Sequence, residues 1–153
     1  MKVGIISDTH GKFRDEITEW FSDVDYILHI GDVGKPFILE KLAQIAPVKV
    51  VRGNVDRGAW AEGLPMTEVV QLDEVLIYMV HKPEDLDLDP SAADFQVVLM
   101  GHTHKPLIQY KDGVLYMNPG SFGPKRFSLP ISLGYLEIKE GRITPSIRTL
   151  SDI

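Results

Sequence analysis

Five short runs of apolar, mostly β-branched residues punctuate the chain: KVGII (2–6), YILHI (26–30), VKVV (48–51), VLIYMV (75–80) and FQVVLM (95–100). They are apolar at consecutive rather than alternate positions, so both faces need covering, which predicts interior strands. Between the first two runs, Phe13, Ile17, Trp20 and Phe21 recur at helical spacing. Between the second and third, KPFILEKLAQIAP carries Pro36 where a first helical turn tolerates it and Pro47 where a helix must end. The order β-α-β-α-β is that of a largely parallel sheet covered by helices.

The second half changes character. MTEVVQLDEVLIYMV reads as two strands about a tight turn, LIQYKDGVLYMN as a hairpin bent at Asp112-Gly113, and LGYLEIKEGRITPSIRTL as another bent at Glu140-Gly141. The prediction is an α/β (α+β) chain, with one mixed sheet or two packed sheets and helices outside. The C-terminal pair is expected to cover or extend a sheet. No repeat, low-complexity tract or Ser/Gly linker marks a boundary, and 153 residues suffice for one domain spanning 1–153.

Composition removes several function classes. The longest apolar run, VLIYMV, is far short of the roughly 20 residues of a membrane helix, and the first residues lack the apolar stretch of a signal peptide. A cytoplasmic protein with no membrane partner is expected. Without cysteine there is no disulfide framework, thiol nucleophile or thiolate metal site. A net charge of −6 and scattered lysines and arginines give no strong nucleic-acid signal, and leave a homo-oligomer open. An anionic substrate must then be held by something other than bulk charge.

The polar residues just beyond each strand supply the candidate site. The first run leads into SDTHG, with Asp8 and His10; the second into GDVG, with Asp32; the third into RGNVD, with Asn54 and Asp56. VLIYMV leads into His81, and FQVVLM into GHTH, with His102 and His104. In α/β sheets the C-terminal edge of the strands is where ligand sites form. Asp, His and Asn without Cys describe a nitrogen- and oxygen-ligated transition metal, and four histidines argue against magnesium alone. Asp8, His10, Asp32, Asn54, His81, His102 and His104 are more ligands than one tetrahedral ion uses, and suit two ions sharing a bridge. Two divalent ions about 4 Å apart repel by roughly 17 kcal/mol at an effective dielectric near 20, so bridging anions are required. With Asp8 and Asp32 ionised and one hydroxide bound, the sum of +4, −2 and −1 is +1, which attracts a phosphate to an acidic protein.

DTH (8–10), GD (31–32), GNVD (53–56), His81, GHTH (101–104) and NPGS (118–121), in this order, resemble the calcineurin-like metallophosphoesterases, and the short length resembles their small single-domain phosphodiesterase branch (YfcE-like). The resemblance implies a four-layer α-β-β-α sandwich of two mixed sheets with helices outside. It implies that Asp8, His10 and His104 bind a first metal, that Asn54, His81 and His102 bind a second, and that Asp32 bridges. Two divalent transition-metal ions per chain are expected, manganese first, with nickel, zinc, iron or cobalt as alternatives. The implied activity is hydrolysis of a small phosphodiester by in-line attack of a metal-bridging hydroxide, with Asp32, Asn54 and His81 among the catalytic residues. A phosphomonoesterase or nucleotide pyrophosphatase of the same superfamily is the alternative. A protein-interaction scaffold on this fold, resembling the retromer subunit, is the alternative from another class.

The chain departs from the family pattern at Val55, where relatives keep a histidine credited with protonating the leaving oxygen, and around His81, flanked by Val80 and Lys82. Asp56 is a candidate replacement acid, but a role holding its loop by hydrogen bonds explains it equally. His29, inside YILHI, reads as a buried, hydrogen-bonded core histidine. Lys82 and Arg57 read as solvated surface charges that could steady a phosphate, and Asn118 as a turn residue or a lining of the site.

Overall fold

The computed structural model describes residues 1–151. The chain runs β1 (Lys2–Ile6), α1 (Glu16–Trp20), β2 (Tyr26–His29), α2 (Pro36–Ala43), β3 (Val48–Val50) and α3 (Ala59–Glu62). It continues through β4 (Thr67–Leu72), β5 (Val75–Val80), β6 (Val97–Leu99), β7 (Leu107–Lys111), β8 (Val114–Asn118), β9 (Ser132–Lys139) and β10 (Arg142–Thr149). They form two five-stranded sheets, ordered β10-β9-β1-β2-β3 and β4-β5-β6-β8-β7. Both are mixed: β1, β2 and β3 are parallel, as are β5, β6 and β8, while the hairpins add antiparallel strands. The C-terminal hairpin extends the first sheet through β9 against β1.

The unbroken apolar runs find cover on both faces. Val3, Ile5, Leu28 and Leu136 of the first sheet meet Ile77, Met79, Leu99 and Met117 of the second in the inter-sheet core. Ile6 and Ile27 point the other way, onto Ile17 and Phe21 from α1 and Ile38 and Leu42 from α2. Each such side chain contributes about 1.5–3 kcal/mol when fully buried. Both predicted hairpin bends have φ > 0 at their two central residues, at Asp112-Gly113 and Glu140-Gly141, which matches the twist of the strands they join.

The outer layers are unequal. Helices cover the first sheet, but the second sheet's outer face, with Tyr78, Val80, Val98 and Met100, is covered by residues 82–96, whose helical content is one 3₁₀ turn at Pro83–Asp85. Pro83 and Pro90 interrupt any longer helix there, and the Asp89 carboxylate takes the Ser91 and Ala92 amides at 3.1 and 3.3 Å, competing with helical bonding. α1 is shorter than its apolar spacing predicts: it starts at Glu16, after a turn that holds His10 and Gly11 at φ > 0, and Arg14 before it donates to the Gly123 carbonyl (3.0 Å). No helix among the described residues is long and apolar enough to cross a membrane.

His29 is fully buried at the end of β2. Its Nδ1 accepts the Gly31 N–H (3.1 Å), so Nε2 carries the proton and donates to Thr9 Oγ1 (3.0 Å), which donates onward to the Val33 carbonyl (2.9 Å). Burial pushes its pKa down to about 4. An unfolded chain protonates this residue near pH 6.5, so between there and pH 4 the unfolded state binds the extra proton. Stability from this group is therefore complete above about pH 6.5 and falls by about 3 kcal/mol as pH drops toward 4. His29→Gln is expected to lower stability at pH 8 while leaving specific activity largely intact, and to remove this acid-dependent loss. Urea unfolding of both metal-free proteins at pH 8 and 4.5 measures it; a wild-type-minus-variant difference that does not change with pH would refute the assignment.

Candidate functional site

The C-terminal ends of β1, β2 and β3 in one sheet and of β5 and β6 in the other open on a common rim. Three contacts tie them together. His81 Nδ1 donates to the Ile30 carbonyl (2.7 Å), the Gly101 N–H to the His81 carbonyl (2.9 Å), and the His102 N–H to Asp8 Oδ2 (3.1 Å). The predicted residues separate into two groups, Asp8, His10 and His104 in one and Asp32, His81 and His102 in the other; within each, one ligand atom per residue lies within 4.8 Å of the others. Asn54 joins the second group, its Oδ1 lying 3.0 Å from His81 Nε2 and 3.2 Å from His102 Nδ1. Asp32 Oδ2 stands between the groups, 3.6 Å from His10 Nε2 and 3.2 Å from His81 Nε2.

Local backbone chemistry sets these directions. Asp8, His10, Asp32, His102 and His104 all have φ between 47 and 71°. Asp and His tolerate this left-handed region better than most residues, and it turns each side chain out of the strand direction. The chain's second strand-end loop passes so close to the third that a Cβ on Gly53 would collide with the Asp32 backbone and carboxylate, which only glycine permits.

The geometry fits a bound cation. His81 Nδ1 must donate to the Ile30 carbonyl, so in a neutral ring Nε2 is a bare lone pair directed at Asp32 Oδ2 and Asn54 Oδ1. A second proton or a metal ion resolves that opposition. In the other group Asp8 Oδ1 and His10 Nε2 are buried with no hydrogen-bond partner among the described residues. Burial opposes ionisation of Asp8, yet His10 (3.7 Å) and His104 (3.3 Å), close but misdirected for hydrogen bonds, with His81 and the Ser7 hydroxyl, hold its carboxyl well below the usual carboxylate range. Burial likewise opposes, and His81 and the Val55 N–H outweigh, so that Asp32 is also lowered. His81 is raised, its burial offset by Asp32 and Asp8. Orphaned buried donors and acceptors facing paired carboxylates fit divalent ions with nitrogen and oxygen ligands.

The remaining expectations sort by contact. Asp56 is buried, and its oxygens accept the N–H groups of Gly53 (2.9 Å), Gly34 (2.9 Å) and Val33 (3.2 Å), clamping the loops after β2 and β3 together. That is the loop-holding arrangement. Val55 is 42% exposed and contributes its N–H to Asp32 Oδ1 (3.0 Å). Asn118 donates to the Gly101 carbonyl (2.9 Å) and Thr103 Oγ1 (3.1 Å), so it fixes the GHTH loop. Two supports escape the motif reading. The Ser7 hydroxyl donates to Asp8 Oδ2, and the Ser121 hydroxyl to the Asp8 carbonyl at 2.9 Å. Ser121 ends the NPGS motif, and the motif's place after β8 is the sequence signal for it.

Residues 1–141 match the calcineurin-like phosphoesterase superfamily domain. A probable metallophosphoesterase of Methanothermobacter thermautotrophicus is 32% identical over 136 residues, covering 79% of this chain and 77% of that protein. Phosphodiesterase YfcE of Escherichia coli is 27% identical over 164 residues, covering 90% and 88%. The solved structure of Chaetomium thermophilum Vps29 superposes with a TM-score of 0.78 over 98% of this chain and 97% of its own, at 17% identity, a likeness of fold alone. Rim geometry and sequence likeness converge, and the chain belongs to the calcineurin-like phosphoesterase superfamily, among its small phosphodiesterase-like members.

Proposed function

We propose that the chain is a two-metal phosphodiesterase acting on a small phosphodiester. The observation that carries this reading is the pair of ligand groups with Asp32 Oδ2 between them and buried, unsatisfied atoms at Asp8 and His10. Asp8, His10 and His104 would hold one ion, Asn54, His81 and His102 the other, and Asp32 both. Manganese is the ion that the family resemblance puts first, while the four imidazoles suit nickel, zinc, iron or cobalt as well. Two such ions supply Lewis acidity toward phosphoryl oxygens and a hydrolytic nucleophile at neutral pH.

The chain's own part is positioning. The Ile30 carbonyl fixes the His81 tautomer, Asp56 fixes the loop that presents Asn54, and Asn118 fixes the loop that presents both His102 and His104. Val55 offers no proton to the leaving oxygen. The ion count is testable by elemental analysis after metal stripping and saturation with Mn²⁺, for which two ions per chain are expected. One ion or fewer would sink the proposal.

The Vps29-like fold favours one second reading, a protein-docking scaffold. Seven intact ligands support the enzyme instead, and hydrolysis of bis(p-nitrophenyl) phosphate by the metal-loaded protein, absent after chelation, separates the two.

A further inference from the structure

A cavity of about 520 Å³ opens beside the centre and shares Asn54 and His81 with it. It lies between the end of β3, the start of β4, and the 3₁₀ turn that follows β5. We propose that this cavity is the subsite for one ester substituent of the substrate and that it selects a nucleoside-sized group carrying no further phosphate. The inference rests on the phosphodiesterase reading and names its substrate class.

The wall is chemically mixed. Closest in sequence to the ligands are two cations, Arg52 and Lys82. Arg52 donates its Nε to the Asp56 carbonyl (3.0 Å), which fixes the guanidinium plane beside Asn54. Lys82 is half-buried and takes part in none of the ion pairs among the described residues, so its charge is available to a ligand. Met66, 58% exposed, adds an apolar thioether surface to the same wall, and Thr67, next in sequence, adds a hydroxyl. A polarizable thioether and a planar guanidinium suit a flat ring, and a hydroxyl suits a sugar.

The 3₁₀ turn and the residues just after it bring Glu84, Asp85 and Asp87 to the wall, all exposed and, among the described residues, none ion-paired. These carboxylates act by exclusion. A phosphodiester carries its single negative charge at the metal end, next to Arg52 and Lys82, and an uncharged nucleoside passes the acidic turn without penalty. A substituent bearing a further phosphate would set that charge against three carboxylates, and like charges at close range are strongly discriminated against. The volume falls within the roughly 300–1,000 Å³ of small-molecule sites.

Two measurements test this. Metal-free, ¹⁵N-labelled protein titrated with thymidine should show amide shifts concentrated at residues 66–67 and 82–87; no shifts there, or shifts confined elsewhere, overturns the subsite. With manganese bound, the wild type should hydrolyse the p-nitrophenyl ester of thymidine 5′-phosphate at least about 10-fold more efficiently (kcat/KM) than the same ester carrying a 3′-phosphate. The variant Glu84→Gln/Asp85→Asn/Asp87→Asn should shrink that preference at least about 5-fold. A preference that the variant leaves unchanged overturns the selectivity. If the wild type hydrolyses no diester, the phosphodiesterase reading falls, and the thymidine shifts decide the subsite without it.

Discussion

Replacing Asp32 by alanine is expected to reduce phosphodiester hydrolysis by at least about 10³-fold and to weaken metal binding by more than about 100-fold. Asp32 has one oxygen set between the two ligand groups, 3.6 Å from His10 and 3.2 Å from His81, while its other oxygen is steadied by the Val55 N–H; Asp8 Oδ1 also reaches His81, but only at 4.0 Å. In the proposed two-ion centre, removing it would delete the shared negative charge that offsets repulsion between the ions, so the loss would fall on both together. Asp32→Asn keeps the shape and an acceptor but removes the charge, and should bind metal nearly as poorly. Thermal melts of the metal-free proteins guard against a trivial explanation. Calorimetric titration with Mn²⁺ supplies the decision, and an alanine variant that still binds two ions at wild-type affinity would end the bridging assignment.

The second large effect is a gain. If Val55 stands where the family resemblance implies a proton donor, leaving groups would depart largely unassisted. Wild-type rates should fall steeply as leaving-group pKa rises, with nitrophenyl esters far better than alkyl esters. Val55→His should raise turnover most for the poor leaving groups, by about 10-fold to 100-fold, the lower part of the general-acid range, since the new imidazole lacks evolved support. The position tolerates the change sterically because Val55 is 42% exposed and its N–H, not its side chain, holds Asp32. The measurement is a leaving-group series on both forms at matched metal content. A flat wild-type dependence with no gain in the variant would mean that another group already gives the proton, and Asp56 is poorly placed to do so with three backbone amides on its carboxylate.

The strand ends were legible in sequence because buried strands leave unbroken apolar runs, and the first polar residue after each run marks the rim. β1, β2, β3, β5 and β6 all read this way, and Asp8, Asp32, His81, His102 and His104 came with them. Helix lengths were less legible. The apolar spacing of residues 13–21 says which face is buried but not that the helix begins only at Glu16, and the tertiary contact just before it, Arg14 to Gly123, joins residues more than a hundred positions apart. The cover of the second sheet was also hidden, because a loop can bury Tyr78 and Val98 as well as a helix does. For Asp56, residue type left a proton donor and a loop clamp equally plausible. Only the positions of the Gly53, Gly34 and Val33 amides distinguish them.

Five of the seven proposed ligands sit in left-handed backbone conformations. Each such residue costs roughly 1–2 kcal/mol, so the five together oppose folding by roughly 5–10 kcal/mol, comparable with the net stability of a whole domain. In the metal-free protein, glycine at Asp8, Asp32 or the histidines 10, 102 and 104 would relieve this strain, less glycine's own entropic cost and, at the aspartates, the hydrogen bonds their carboxylates accept. In a laboratory evolution toward thermostability without metal, these positions would be open to glycine, whereas with metal supplied, binding to the folded state would favour keeping the ligands even without demand for turnover.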